Sequence, residues 1–563
     1  MKVKNYALVL LYLFFGSQMV LAQEKTITGT VTTESDGMPL PGANVIVKNT
    51  SRGVQSDFDG KFSIRATKGD VLVVSYVGME NAEVVVGDAN VYNVALKEGN
   101  ALDEVVVVAY GKQKKEAVVG SVQTVGSTEI EQQQVTSPVK ALQGSVAGVN
   151  MITQGGQPGN NPSFVVRGFS SINASSSPLI ILDGTPFNGN INTISQDQIE
   201  SLTVLKDGAS ASLYGSRGAN GVVIITTKTG KKNTAATVSI RTQYGVSNPA
   251  VGLHDRVGPG TYMELLWTAA RNRNIYEFGQ SPDVAAQNAS NNLVGLIGYN
   301  PYDVANPIGV DGKLVSGANL KYSTDWEDVL LRENVPRVNH NLSVEGGNEK
   351  SSYFFSLDYL NEEGQVIEAD FERVSTRFNF DSQLKDWLKV GVRTSFSRSN
   401  SSNPEAGAVS AVSWIYNVGN VFPIYARDAN GDLVYDASGN PFYDLGNGNG
   451  GRLGQAVNAN RIPRSGENIM AIIKLGTEER IRTNYVGNAY AEIDFLKNFK
   501  FRTNLAYENF LFDSHSFDDD QYGIASGIQG RVSKARNITT TLNAIQSLNY
   551  TNSFGLHNIS VDA

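Results

Sequence analysis

The chain has 563 residues, too many for one ordinary domain, so several are expected. Its 47 basic and 55 acidic residues leave a net charge of −8, which offers no basic surface for nucleic acid, and the lack of cysteine excludes thiolate catalysis and cysteine-ligated metals. The four histidines, His254, His340, His515 and His557, lie far apart without ligand spacing, so no metal or cofactor is expected, and 56 glycines suit a turn-rich, mainly β chain.

The first segment reads as an export signal. Lys2 and Lys4 precede an apolar stretch, residues 6–15, that is too short to cross a bilayer as a helix. Val20-Leu21-Ala22 supplies the small residues of a cleavage site, so residues 1–22 are expected to be a signal peptide and Gln23 the mature start. No later segment is long and apolar enough for a membrane helix, so any membrane span would have to be a β-barrel.

Residues 23–98 carry short β runs at 27–31, 43–47, 60–64, 71–76 and 82–86, with turns at Pro39-Leu40-Pro41-Gly42 and Asp57-Phe58-Asp59-Gly60. This spacing predicts a β-sandwich, with the turn aspartates shaping the chain rather than holding calcium. Next comes Leu102-Asp103-Glu104-Val105-Val106-Val107-Val108, bounded by Asn100 and by Gly111-Lys112-Gln113-Lys114-Lys115. Its strand propensity is high and no local partner is obvious. Two readings stay open: the last strand of the sandwich, or a strand offered to another protein's sheet edge.

Residues 115–230 read as mixed α/β. Helices are predicted at 139–146 and 209–214, and strands at 164–167, 179–182, 199–205 and 221–228. Gly215-x-x-Gly218-x-x-Gly221 follows a helix and enters a strand, the reverse of a phosphate loop, so these glycines are assigned to packing and turns.

From residue 231 to 563 the pattern is that of membrane strands. Tyr353, Phe355, Leu357 and Tyr359 alternate with Ser352, Phe354, Ser356 and Asp358, and Val374, Thr376, Phe378 and Phe380 alternate with Ser375, Arg377, Asn379 and Asp381. The same alternation runs through 388–397 and 499–508. Tight turns at Asn348-Glu349-Lys350, Lys385-Asp386 and Lys497-Asn498 alternate with long links at 249–335, 363–371, 401–480 and 513–536, as periplasmic turns alternate with extracellular loops in barrels. In one link, Asp428-x-Asn430-x-Asp432 has Leu433 where a calcium loop needs glycine, so no metal is assigned there. About nine strands fit before Ala563, an odd number that leaves open edges lipid cannot satisfy, so the sequence is expected to be the N-terminal part of a longer protein with a truncated barrel.

Two stretches resemble known families. Gly29-x-Val31, Pro39-Leu40-Pro41-Gly42-Ala43-Asn44-Val45, Asp57-x-Asp59-Gly60-x-Phe62 and Ser75-Tyr76-Val77-Gly78 resemble the carboxypeptidase-regulatory-like domain. Ala141-Leu142-Gln143-Gly144-x-Val146-Ala147-Gly148-Val149, Arg167-Gly168-x-Ser170-Ser171-Ile172-Asn173 and Pro178-Leu179-x-x-x-Leu182-Asp183-Gly184 resemble the plug domain of TonB-dependent transporters of the SusC/RagA class. So do Ile199-Glu200-Ser201-x-x-Val204-Leu205-Lys206-Asp207 and Tyr214-Gly215-Ser216-Arg217-Gly218-Ala219-Asn220-Gly221-Val222-x-x-Ile225-Thr226-Thr227-Lys228.

The second resemblance implies a sandwich at 23–98, a Ton box and linker at 99–114, a plug at 115–230 and an antiparallel transmembrane barrel from 231. It implies an outer-membrane importer of oligosaccharides or peptides, set among outer-membrane lipid, with a SusD-like surface lipoprotein as lid. TonB, energised by the inner-membrane proton gradient, would pair with Asp103, Glu104, Val105, Val106, Val107 and Val108. Arg167, Glu200 and Arg217 are expected to hold the plug against the barrel, with salt bridging inside the plug as the alternative, and Ser170, Ser171, Ile172 and Asn173 are expected to touch substrate. Trp267, Trp326 and Trp414 in the long links suit either sugar stacking or a membrane girdle, and the reading leans towards glycan. No catalytic constellation is present, so no enzyme activity and no cofactor are expected. The alternative is a transducer that reports substrate to a periplasmic regulator; against it, only the sandwich precedes the Ton box.

Overall fold

A computed structural model describes residues 24–48, 50, 52–76, 79–97, 105–108, 111–114, 121–133, 135–152, 156–403, 410–428, 430–447, 461, 463–522, 525–555 and 557–563. The expected signal peptide and the Asp103-Glu104 pair lie outside these residues. The chain forms two compact units, one up to Val118 and one from Val119.

The first unit is the expected sandwich. Strands β1 (Lys25–Thr33), β2 (Asn44–Val47), β3 (Gly53–Gln55), β4 (Lys61–Ala66), β5 (Val71–Ser75), β6 (Ala82–Val85) and β7 (Val94–Leu96) form sheets ordered β4-β1-β7 and β3-β2-β5-β6. Successive side chains of a strand point to opposite faces, and β4 alternates exposed and buried residues without a break. Phe62 and Ile64 of β4 pack with Ile27 and Val31 of β1 and with Val45, Leu72 and Val74 across the sandwich. At the Asp57 turn, Oδ1 accepts the backbone N–H groups of Asp59 (3.0 Å) and Lys61 (2.8 Å), which is the turn-shaping role expected of it.

The valine run has a local partner after all. Strand β8 (Val105–Val108) pairs antiparallel with β9 (Gly111–Lys114), from Val105 opposite Lys114 to Val108 opposite Gly111. Among the described residues this hairpin joins neither sandwich sheet, whose last strand is β7, lying parallel to β1. The lysine-rich segment 111–114 was expected only to bound the run, because lysine and glycine have low strand propensity; pairing to a strong strand former overrides that preference.

The second unit contains a small mixed sheet packed against a larger one. Strands β10 (Val122–Gly126), β11 (Val149–Ile152), β12 (Ser163–Val166), β13 (Leu179–Leu182), β14 (Thr185–Pro186), β15 (Ile199–Leu205) and β16 (Val222–Thr227) build a sheet ordered β10-β15-β16-β13-β14 and a separate β11-β12 ladder. Apolar β15 and β16 are central and close on Val125, Ile130, Leu142, Val166 and Leu182. The helix expected at 139–146 is a shorter 3-10 turn, Pro138–Leu142. At Gly215, φ 59° and ψ −148° break the helix that follows β15, a conformation only glycine adopts readily.

The larger sheet is a nine-stranded antiparallel meander in sequence order. Its strands are β17 (Thr234–Ser247), β18 (Val335–Gly347), β19 (Ser351–Glu363), β20 (Asp370–Lys385), β21 (Leu388–Ser402), β22 (Thr477–Phe495), β23 (Phe499–Asp518), β24 (Arg531–Phe554) and β25 (His557–Asp562). The alternation is as expected: Ser352, Phe354, Ser356 and Asp358 of β19 are buried, while Phe355 and Leu357 are exposed on the other face. Short turns at 348–350, 386–387 and 496–498 alternate with long connections at 248–334, 364–369, 403–476 and 519–530.

The long connections are not plain loops. Helices Pro259–Tyr276, Pro282–Ile297, Trp326–Leu330, Ala411–Asn417 and Ile469–Leu475 fold onto one another around Met263, Leu293, Trp326, Trp414, Phe422 and Ile473. Trp326 and Trp414 meet edge to face at 5.5 Å. Beside them Arg461 donates to Asp444 at 2.8 Å in a fully buried pair, and the Tyr299 hydroxyl donates to the same carboxylate at 2.7 Å. Burial pushes the Asp444 carboxyl up despite Arg461, and burial with Asp444 alongside pushes the Tyr299 phenol up. Trp267, Trp326 and Trp414 are therefore 7%, 1% and 0% exposed and serve as core, neither stacking platforms nor a girdle, which corrects the expectation drawn from their place in long links. Trp414→Ala is expected to destabilise this cap by about 3–5 kcal/mol. Hydrogen exchange should then quicken across Ile469–Leu475 while β20 and β21 keep their protection.

Candidate functional site

The seam between the small sheet and the strand wall follows from β20. Phe371, Arg373, Ser375, Arg377 and Asn379 are buried, and the residues between them are exposed or half-buried. A buried polar group must find a partner or bear the cost of lost hydration, so each of these side chains has one across the seam. At the end nearest the long connections the Phe371 ring covers Gly159, where φ is +71° and a Cβ would collide with the ring. Arg373 donates to the carbonyl of Asn192 at 2.8 Å and of Ile194 at 3.3 Å, and is held by Asp358 at 3.1 Å. Ser375 accepts from Gln198 at 3.4 Å. Arg377 donates to Asp183 at 3.2 Å, and Asn379 donates to the Thr227 hydroxyl at 2.9 Å and the Lys228 carbonyl at 2.7 Å.

Two further clasps flank this ladder. On one side Arg241 of β17 bridges Glu131 and Asp197 (3.1 Å to the latter), Lys228 adds to Glu131 at 2.5 Å, and Asn339 of β18 donates to Asp197 at 2.8 Å. Burial opposes the Glu131 charge, but the hydrogen bonds from Lys228 and Arg241 prevail and hold its carboxyl below the usual range. Asp197 goes the other way: burial first, then the nearby Asp358 carboxylate, push it up. On the other side Glu508 of β23 accepts from the Asn188 backbone at 3.1 Å, and Asn484 of β22 donates to Thr193 at 3.2 Å. Gly189 lies against them; a Cβ there would stand 2.7 Å from a Glu508 carboxylate oxygen.

The charges picked from sequence are not those of the seam. Arg167 is exposed at φ 59° in the turn after β12, and Glu200 lies on the exposed side of β15. Arg217, also exposed, reaches only Asn188, at 3.4 Å. Among the described residues none of the three makes an ion pair with the strand wall, and none makes one inside the plug either. The seam uses Asp183, Asp197, Gln198, Thr227 and Glu131 instead. Sequence alone gave no signal for them: the polar run Asn192, Thr193, Ser195, Gln196, Asp197 and Gln198 reads as a solvated loop, yet the structure buries all six.

Ser170, Ser171, Ile172 and Asn173 form an exposed turn. Ser170 donates to Asn220 at 2.6 Å, Ser171 accepts from the Asn173 and Ala174 backbones, and Ile172 is fully exposed. In the cap, Asp428 Oδ1 accepts from the Asn430 and Asp432 backbones at 2.9 Å each, so this carboxylate shapes a turn.

Comparison with known proteins agrees with this geometry. Residues 114–222 match the TonB-dependent Receptor Plug Domain and residues 27–107 the CarboxypepD_reg-like domain. TonB-dependent receptor P26 of Formosa agariphila is 34% identical over 468 residues, covering 83% of this chain and 41% of its own length. TonB-dependent receptor SusC of Bacteroides thetaiotaomicron is 29% identical over 534 residues, covering 92% of this chain and 48% of its own. The chain belongs to the SusC/RagA class of TonB-dependent receptors. Among solved structures, the RagAB peptide importer in its open-open state shares the fold with a TM-score of 0.60 at 24% identity, over 82% of this chain and 48% of that one. The chain thus spans about half the length of the curated relatives it matches.

Within this receptor the small sheet is the plug, and Arg377 is the centre of its seam. Arg377→Met leaves Asp183 buried without its cation and is expected to weaken plug docking by about 3–5 kcal/mol. Limited proteolysis of the plug in the folded receptor should quicken accordingly, and adding Asp183→Asn should restore much of the resistance.

Proposed function

We propose that the protein acts as a TonB-dependent importer in the outer membrane, taking up an oligosaccharide or peptide with a SusD-like surface lipoprotein as lid. The observation that carries this reading is the chemistry of the seam. A plug glued to its wall by apolar packing would resist removal, because opening it would expose hydrocarbon to water. A seam of ion pairs and amide hydrogen bonds exchanges one set of polar partners for another, since buried ion pairs add little net stability over their hydrated state. The plug sheet keeps its own apolar core, so it can part from β20 as a unit.

Val105, Val106, Val107 and Val108, with Asp103 and Glu104 before them, supply the strand that TonB would take up by edge pairing. β9 pairs with one edge of that strand in the hairpin, and among the described residues the other edge has no partner. Tension on this strand, drawn from the inner-membrane proton gradient, would open the seam along β20. Substrate would enter from the side of the long connections, and we assign the exposed turn Ser170, Ser171, Ile172 and Asn173 to its contact with the plug. Arg167, Glu200 and Arg217 stand free of the wall in the docked state, and we assign them to contacts the plug makes once it moves. The family match and the RagAB fold support an importer, and none of the relatives named above is described as a transducer.

Val106→Pro removes a backbone donor from the coupling strand and should abolish energised uptake while leaving surface binding of substrate at the level of the unaltered receptor. Uptake by cells carrying this variant, measured beside binding on ice, decides it; sustained uptake would rule out strand pairing at this segment.

A further inference from the structure

Arginines on the inner face of the strand wall are neutralised one by one. Arg337 has Glu362 at 3.9 Å, Arg373 has Asp358 at 3.1 Å, Arg377 has Asp183 at 3.2 Å, Arg393 has Asp381 at 2.7 Å and Arg502 has Glu492 at 2.9 Å, while Arg480 is paired to Glu478. Arg482 is the exception. Among the described residues no carboxylate lies within 4.0 Å of it.

Its surroundings are nonetheless ordered. Arg482 sits on β22 opposite Ser399 of β21 and Phe512 of β23. Its guanidinium lies 5.2 Å from the Phe512 ring centroid and donates to the Ser401 hydroxyl at 3.3 Å. A phenyl face and one serine fix the plane of the group but leave the other N–H groups without an acceptor among the described residues. Two residues along the same face is Asn484, which touches the plug through Thr193. Arg482 therefore stands about 7 Å beyond that contact, towards the long connections. It is half-buried, so it is partly desolvated yet reachable. An unpaired charge in this position is costly, and where every neighbour on the wall has been given a counter-ion the missing one points to a ligand.

We propose that Arg482, held flat by Phe512, is an anion-recognition subsite in the lumen just outside the plug, taking a carboxylate of the imported solute. The planar fork of arginine matches a carboxylate with two parallel hydrogen bonds, which a lysine cannot reproduce. A uronic-acid sugar and an acidic peptide carry the same group, and the subsite recognises what they share. The inference rests on the importer reading and narrows its substrate.

The test is equilibrium binding to the full-length receptor in detergent, with oligogalacturonate, its methyl ester and hexaglutamate as probes. At least one acidic probe should bind, and which one does identifies the source of the carboxylate. The methyl ester should bind about tenfold more weakly than the free acid if the sugar is the ligand. Arg482→Gln should lose about tenfold or more in affinity for the acidic probe, and Arg482→Lys should recover only part of it. Phe512→Leu keeps an apolar neighbour but loses the ring face and should show a smaller loss, with barrel folding checked by heat-modified gel mobility. Binding of neither acidic probe, or unchanged binding by Arg482→Gln, overturns the subsite. If Val106→Pro still abolishes uptake in that case, the importer reading stands alone; if neither the unaltered receptor nor the variants take up any probe while Arg482→Gln loses binding, the subsite stands and the importer reading falls.

Discussion

The structure depends on one constraint: the inner face of the strand wall is polar, and wherever the plug covers it each polar group needs a partner. β20 meets this constraint over four alternate polar residues, from Arg373 on the Asn192 carbonyl to Asn379 on Thr227 and Lys228, with the Phe371 ring packed on Gly159 at the end of the row. The alternation that turns Phe378 outward turns Arg377 and Asn379 inward. The plug answers with carboxylates, amides and backbone carbonyls rather than apolar side chains. Seam and apolar outer face are thus two consequences of a single period of two.

The same constraint separates stability from release. The plug sheet is held together by Ile199, Leu202, Val204, Val223 and Ile225, and the cap by its tryptophans. Neither core crosses the polar seam at β20. Apolar contact thus mainly keeps each body folded, reaching across to the wall at Val486 and Phe371, while polar contact makes up the seam along the rest of β20. Arg482 extends the logic: on a wall where inward cations are matched, the unmatched one marks where a mobile anion completes the set.

Much of this was legible in the sequence. Alternation in 352–359 and 374–381 placed the inner and outer faces correctly, and the spacing of short and long connections separated the two ends of the wall. The plug strands at 179–182 and 199–205 fell where their apolar runs predicted. Three-residue β3 and β7 escaped notice because three residues carry too little alternation to register. The site was less legible. Arg167, Glu200 and Arg217 stood out because they lie in conspicuous motifs, yet motif glycines such as Gly168 and Gly218 mark turns, and turns leave charges in solvent. Asp197 and Gln198 lie in a stretch that looks like a surface loop until the wall is placed over it. The tryptophans misled for the opposite reason: connections of that length were read as loops, whereas they hold enough apolar residues to fold around them.

The most direct test of the account asks whether the plug must leave β20 during transport. Gln198 and Ser375 meet across the seam at 3.4 Å, and this chain has no cysteine of its own to interfere. A receptor carrying Gln198→Cys and Ser375→Cys should import normally with both thiols free, stop when a short reducible bis-thiosulfonate crosslinker joins them, and recover on reduction, while surface binding stays constant throughout. Undiminished uptake with the crosslink fully formed would show that the plug stays on this strand, and would contradict release through the polar seam.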